Sequence, residues 1–156
     1  MRFRRLQWLF PIAVTLHNGE EAIWMPAWAR EHIAQLSLQP PSAVEIRIAL
    51  AALTLVAFAV TYLSARRGRE SVWAYLTFGY IVAMLVNVFV PHVPATLFFR
   101  SYTPGVVTAV LINLPVMTYL AVRAVRDEWV SEWKAAAFGV GVPIVMGGAI
   151  AAWFLA

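Results

Sequence analysis

Long apolar runs alternate with short polar connections along the chain. A helix needs about 20 consecutive apolar residues to cross a hydrocarbon core of about 30 Å, and five runs approach that length. The predicted membrane helices cover residues 6–28, 43–64, 71–90, 104–122 and 135–155. The pattern therefore predicts an all-α fold, a polytopic transmembrane bundle of about five helices in which residues 1–156 form a single domain.

Composition agrees with a membrane location. Of the 156 residues, 62% are hydrophobic and 13% charged, and the mean hydropathy is +0.72, whereas a soluble domain has about 45–50% apolar and about 25% charged residues. The chain has no cysteine, which excludes disulfides and thiolate chemistry. We predict an integral protein of the bacterial cytoplasmic membrane, surrounded by membrane lipids.

The basic residues of the connections predict the orientation, because Lys and Arg are retained on the cytoplasmic side. One side holds nine of the 12 basic residues, namely Arg2, Arg4, Arg5, Arg66, Arg67, Arg69, Arg123, Arg126 and Lys134, and the other side holds Arg30, Arg47 and Arg100. We therefore expect a cytoplasmic N-terminus and an external C-terminus. The net charge of +4 suits an anionic leaflet. We expect no nucleic-acid partner, since no basic stripe alternates with exposed aromatic residues.

The stretch LHNGEEAIW interrupts the first apolar run with ionisable side chains. His17, Glu20 and Glu21 lie within five residues, and each such side chain at the centre of a membrane helix costs about 2.5–3.5 kcal/mol. The glutamates argue against a cleaved signal peptide, so we expect this segment to be retained. Residues three and four positions apart share one helix face. The three side chains therefore form a metal-binding or proton-relay arrangement directed at one neighbour.

Further polar residues lie near the same predicted depth. The third segment ends in NVFVPH, where Pro91 is expected to break the helix and turn His92 inward. Counting about 1.5 Å per residue brings the polar residues of the third and fourth segments close to the level of His17, in the outer half of the membrane. The supporting polar residues are predicted to be Asn87, Tyr102, Thr103 and Asn113.

We predict that this cluster binds a divalent metal ion. Imidazole and carboxylate ligands suit zinc, iron and manganese, and zinc is the ion we expect first. The predicted ligands are His17, Glu20, Glu21 and His92, and the candidate catalytic residues are Glu20 and Glu21. One glutamate is expected to bind the ion while the other acts as general base or bridges a second ion. The sequence leaves open which glutamate has which role.

Three classes of function remain open. The favoured one is a membrane-embedded, metal-dependent hydrolase or oxidoreductase whose lipid-like or other hydrophobic substrate enters sideways from the outer leaflet. The second is a transporter that conducts protons or a divalent ion through the same carboxylates, although five segments without inverted repeats are atypical of one. The third is a small, non-catalytic binding or accessory protein of the membrane.

The fifth predicted helix and the longest connection show no candidate chemistry. The fifth predicted helix has no ionisable residue and carries small residues at spacings near four, Gly139, Gly141, Gly147 and Gly148. Such faces allow close helix approach, so we expect packing and a homo-oligomer through this helix. His32, in the longest connection, is interpreted as solvated. Ile33, Leu36 and Leu38 in the same connection predict a short interfacial helix on the outer surface.

The pentapeptide HNGEE is an instance of His-x-x-Glu-Glu and resembles the motif of the HXXEE family of small, apolar membrane proteins. NVFVPH and YTPG look like further recurrent elements of that family, and the resemblance spans about residues 10–120. It implies a functional site that includes His17, Glu20, Glu21, Asn87, His92, Pro104 and Gly105. It also implies a metal-dependent activity, without specifying a reaction.

Overall fold

The structure, a computed structural model, describes residues 2–33, 35 and 39–155. Its long helices are α2 (Leu9–His32), α3 (Ala43–Arg67), α4 (Val72–Asn87), α7 (Leu114–Arg126) and α8 (Glu132–Leu155), and the shorter ones are α1 (Arg2–Leu6), α5 (Val93–Phe99) and α6 (Val106–Thr108). The described elements are all helical, which confirms the predicted fold class. The interfacial helix was predicted from Ile33, Leu36 and Leu38, and of these Leu36 and Leu38 lie outside the described residues.

Four helical stretches are long and apolar enough to cross a membrane. They cover Ala43–Arg67, Val72–Phe99, Val106–Arg126 and Glu132–Trp153. The 24-residue α2 has sufficient length as well and packs against α3, but the ionisable HNGEE stretch lowers its hydropathy. These helices confirm the predicted transmembrane bundle, while its orientation in the membrane stays a prediction.

Two wide helical turns shape the bundle beside HNGEE. The backbone forms π-helical turns at Val88–His92 and at Ala109–Asn113, between longer helical pieces. Within the first, Val90 has φ −147° and ψ 111°, because the residue before a proline avoids helical angles. The resulting kink turns His92 into the bundle, where only 1% of it is exposed. Departures from regular helix of this kind are frequent at functional sites.

An apolar core fills the half of the bundle nearest the beginning of α2. Its members without exposed surface include the following large apolar side chains of α2, α4 and α7: Phe10, Val14, Ile81, Met117 and Leu120. Burying side chains of this size contributes about 1.5–3 kcal/mol each when water is the reference. The polar residues of α2 begin one turn beyond this core, so the core forms an apolar floor beneath them.

The short α1 is fixed to α3 by buried polar groups. The Ser64 hydroxyl donates to Gln7 Oε1 at 2.8 Å, and Trp129 Nε1 donates to Ser64 Oγ at 3.1 Å. Gln7 and Ser64 have no exposed surface. Phe3 packs beside Trp129 with the ring centroids 5.8 Å apart. These contacts hold the N-terminal helix, with its arginines, in one place.

Candidate metal centre

Three predicted ligands converge above the apolar floor. Glu21 Oε1 lies 3.4 Å from His92 Nε2 and 3.8 Å from His17 Nε2. One ligand atom from each of the three residues lies within 4.8 Å of the other two. Both histidines are 1% exposed and Glu21 is 12% exposed. The structure thus brings together a buried His₂Glu set from α2 and the kinked turn before α5.

Asn87 completes this cluster from the end of α4. Its side-chain Nδ2 lies 3.1 Å from His17 Nε2 and 3.0 Å from His92 Nε2. An amide NH₂ has two hydrogens to donate, so both imidazoles present an Nε2 lone pair to one point. Two such lone pairs beside the Glu21 carboxylate could together hold a metal ion.

Thr108 fixes the tautomer of His17, although it was not among the site residues predicted from the sequence. The Thr108 hydroxyl donates to the Gly105 carbonyl oxygen at 3.2 Å and lies 3.0 Å from His17 Nδ1. Because that hydroxyl hydrogen is used, Nδ1–H of His17 donates to Thr108 Oγ, which leaves Nε2 free to act as a ligand. A threonine three residues after Gly105, in an otherwise apolar run, was the signal available in the sequence.

Gly105 packs directly against the cluster. A Cβ at this position would lie 2.6 Å from His92 Cε1, 2.9 Å from His17 Cε1 and 3.0 Å from Glu21 Cγ. Its φ of +89° is also one that residues with a side chain rarely adopt. The Pro104–Gly105 step, which the resemblance implies as part of the site, therefore packs directly against the three candidate ligands.

Glu20 faces the loop that leads into α6 and does not join the convergent set. Its Oε1 accepts from the Gly105 N–H at 3.0 Å and from the Tyr102 hydroxyl, and its Oε2 accepts from the Thr108 N–H at 2.9 Å. Desolvation first, and then the hydrogen bond to Glu20, raise the pKa of Tyr102 above its ordinary range, so its hydroxyl stays protonated. Glu20 was predicted as a ligand with Glu21, but the structure brings only Glu21 together with the two histidines, and the Glu20 carboxylate binds the loop.

Two further predicted residues lie apart from this network. The Asn113 amide and the Thr103 hydroxyl are buried and have no hydrogen-bond partner among the described residues. Asn113 was expected at the level of His17, but Thr108 occupies that level, and five residues of helix place Asn113 about 7 Å deeper. The difference arises because the residues after Pro104 form a turn over the cluster before the helix begins.

His32 is half-buried instead of solvated. Its ring stacks on Trp28 with the centroids 4.7 Å apart and meets the edge of Phe99 at 5.0 Å. Its Nε2 lies 3.2 Å from the Ser101 hydroxyl. The correction has a packing origin, since α5 folds back over the end of α2 and covers the imidazole. His32 belongs to this aromatic contact and not to the His₂Glu set.

The ligand atoms of the His₂Glu set lie close enough together that they could hold a metal ion. Bonds of about 2.0–2.1 Å in tetrahedral geometry keep ligand atoms about 3.3–3.4 Å apart. The separation of 3.4 Å between Glu21 and His92 meets this value, and that of 3.8 Å between Glu21 and His17 exceeds it slightly. Two histidines and one glutamate are a ligand set of catalytic zinc sites, which keep a fourth position open.

The fold and this cluster define a polytopic membrane protein with a buried His/Glu site. The chain belongs to the HXXEE family, described as proteins of unknown function with an HXXEE motif, which matches residues 8–120. It is 31% identical over 107 residues to the uncharacterized protein YrkK of Bacillus subtilis (strain 168), covering 69% of this chain and 66%, just under two thirds, of that protein's length. No solved structure matches the chain.

Replacement of Glu20 by glutamine tests its assignment to the loop. The amide keeps one acceptor but loses the charge that receives three hydrogen bonds, and hydrogen bonds to charged groups contribute about 1.5–3 kcal/mol. We expect the metal content to stay within about a factor of three of the wild type, while amide hydrogen exchange over residues 102–108 becomes at least tenfold faster. Glu31→Gln, at an exposed position of α2, is the control. A variant that loses its metal would return Glu20 to the ligand set.

Proposed function

We propose that the protein is a membrane-embedded, zinc-type metalloenzyme that hydrolyses a lipid-like substrate. The observation that carries this proposal is the convergence of His17, Glu21 and His92 within 4.8 Å, above an apolar floor. A bound divalent ion would polarise the substrate's acyl or phosphoryl oxygen and activate a water molecule. The membrane is that of a bacterial cell, as the Bacillus relative suggests.

The residues of the chain have separate roles in this proposal. Glu21 and the two histidines hold the ion, and Thr108 orients His17 through Nδ1. Asn87 stands at the convergence point, and rotation of its amide would present Oδ1 as a fourth oxygen donor. Glu20 positions the loop that contains Gly105 and Thr108. Of the two glutamates, the proposal assigns Glu21 as the metal ligand.

The surroundings of the cluster favour a substrate that arrives from the lipid. Tyr102 is 45% exposed and Trp24 is 56% exposed, and both lie next to the HNGEE network in sequence or by hydrogen bonding. A hydrophobic substrate can therefore reach the partly exposed Glu21 without crossing water. Aromatic side chains with a polar edge are favoured at the boundary between hydrocarbon and headgroups.

A conducting transporter receives less support from the same geometry. Ion or proton passage needs polar groups along the whole path, but the core beyond the cluster includes the fully buried apolar side chains Phe10, Val14, Ile81 and Met117. The buried Asn113 amide, which lies deeper than His17, has no hydrogen-bond partner among the described residues. Polar groups at the other end, around Gln7, are enclosed by protein contacts. An enzyme needs no such path, because its substrate enters and leaves on one side.

Elemental analysis of the purified protein tests the proposal. We expect about one equivalent of zinc, iron or manganese in the wild type, and less than a tenth of that in Glu21→Gln and His92→Ala, because each removes one of only three charged or imidazole ligands. Glu31→Gln serves as the matched control and should keep its metal. Equal metal content in Glu21→Gln and in the control, with both variants folded, would refute the site.

Catalysis is tested separately with a long-chain p-nitrophenyl ester in detergent. Metal-loaded wild type is expected to release nitrophenolate at least tenfold faster than Glu21→Gln, and a chelator should abolish the difference. A preparation that holds one equivalent of metal but hydrolyses neither this ester nor a phospholipid would support the metal site and contradict the proposed hydrolysis. It would favour the binding or accessory role instead.

A further inference from the structure

A groove of about 890 Å³ lies where α1 meets the last turns of α3, far from the His/Glu cluster. Four arginines line it, Arg2, Arg4, Arg5 and Arg66, and no carboxylate does. None of these guanidinium groups forms an ion pair with a carboxylate in the part of the chain that the structure describes. The groove therefore concentrates positive charge that the protein itself leaves uncompensated.

The wall of the groove changes from charged to aromatic with depth. Arg66 Cζ lies 5.9 Å from the centroid of the Tyr62 ring, and Tyr62 is one helical turn deeper on α3. Tyr62 is 51% exposed and Trp8 is 36% exposed, and both line the groove with Leu6. A ligand that fits this wall carries a negative group at the outer end and an apolar part that continues along the helices.

The groove is also rigidly built. The Arg4 carbonyl oxygen accepts from the buried Gln7 amide at 3.2 Å, and Gln7 accepts from Ser64 of α3 at 2.8 Å. Phe3, on the inward face of α1, is 2% exposed. With one face of α1 held in the core, its arginines project from the other face in fixed positions relative to Arg66.

We propose that this groove is a binding site for the phosphate headgroup of an anionic phospholipid. Guanidinium groups form paired hydrogen bonds with phosphate oxygens, and the aromatic and aliphatic wall receives the upper part of an acyl chain. The positive-inside pattern predicts that this end of the bundle faces the anionic cytoplasmic leaflet. The site is independent of the proposed metal centre.

Native mass spectrometry of the detergent-purified protein tests the groove, with dioleoylphosphatidylglycerol as the anionic probe and dioleoylphosphatidylcholine as the neutral one. We expect Arg66→Gln alone to weaken phosphatidylglycerol binding about fivefold and Arg5→Gln/Arg66→Gln about 25-fold, since each basic residue near a surface contributes roughly 1 kcal/mol and about 1.4 kcal/mol is a factor of ten. All of these side chains are exposed, so the variants should fold.

The matched control is Arg67→Gln/Arg126→Gln. It removes the same charge from exposed residues of the same predicted face, and neither residue lines the groove. It should bind phosphatidylglycerol like the wild type. Equal weakening in both double variants would overturn the proposal, because the arginines would then act only through general surface charge. Binding of inorganic phosphate as tightly as the phospholipid would overturn it as well, by assigning the groove to a soluble anion.

Discussion

The change Gly105→Ala is expected to abolish metal binding. Its Cβ would lie 2.6 Å from His92 Cε1 and 2.9 Å from His17 Cε1, closer than real Cβ contacts, and φ +89° adds about 1–2 kcal/mol of backbone strain. Relief requires both imidazoles to move, and Glu21 Cγ at 3.0 Å with them. Because all three proposed ligands shift together, the affinity for zinc should fall at least a hundredfold, as measured by titration against a competing chelator.

The control for this substitution is Gly19→Ala, within the same HNGEE stretch. A Cβ at Gly19 would meet nothing within 4 Å, and alanine favours the helix by about 1 kcal/mol. This variant should bind zinc like the wild type and unfold at a slightly higher temperature. If Gly105→Ala retains one equivalent of tightly bound metal, the packing of the loop against the imidazoles is not what forms the site.

The second large effect is expected from Gly79→Ala, at the contact between α4 and α8. Its Cβ would lie 2.5 Å from Val142 Cγ2 and 2.7 Å from the Phe138 carbonyl oxygen. A backbone oxygen cannot move aside as a flexible side chain can, so α8 has to separate from α4, its main contact. We expect a loss of about 3 kcal/mol in the free energy of unfolding, measured by denaturant titration in mild detergent.

The metal content separates this effect from the first one. α8 contributes nothing to the His₂Glu set, so folded Gly79→Ala should still bind its ion. Gly141→Ala on α8 is the control, because its Cβ would meet nothing within 4 Å. Identical stability of the Gly79 and Gly141 variants would contradict the close packing of α8 on α4.

The spacing of residues along the sequence accounts for part of the candidate site. The separation of four residues between His17 and Glu21 places both on one face of any helix, so their meeting was predictable. His92 was assigned from its place after Pro91, and the kink at Val90 does turn it inward. Predictions of this kind succeed because they depend only on local backbone geometry.

Predictions that depended on the contact between segments were less accurate. Glu20 shares a face with His17, yet its carboxylate turns to the N–H groups of Gly105 and Thr108, a loop more than 80 residues away in sequence. Asn113 was placed by counting from a helix start at the outer surface, whereas the first turn of α6 lies beside Glu20 and His17, where Thr108 contacts both. No spacing rule reports which of two adjacent glutamates faces a loop or at what depth two helices meet.

The membrane class, the helical fold and the residues with which a cation could interact follow from the sequence alone, because hydrophobic length and helical period are local properties of the chain. The packed bundle was needed to show that Glu21 and not Glu20 lies with the two histidines, that Thr108 contacts His17, and that four arginines surround one groove. Those choices depend on how separate helices pack and on which buried donors need acceptors, and both are settled only when the segments meet.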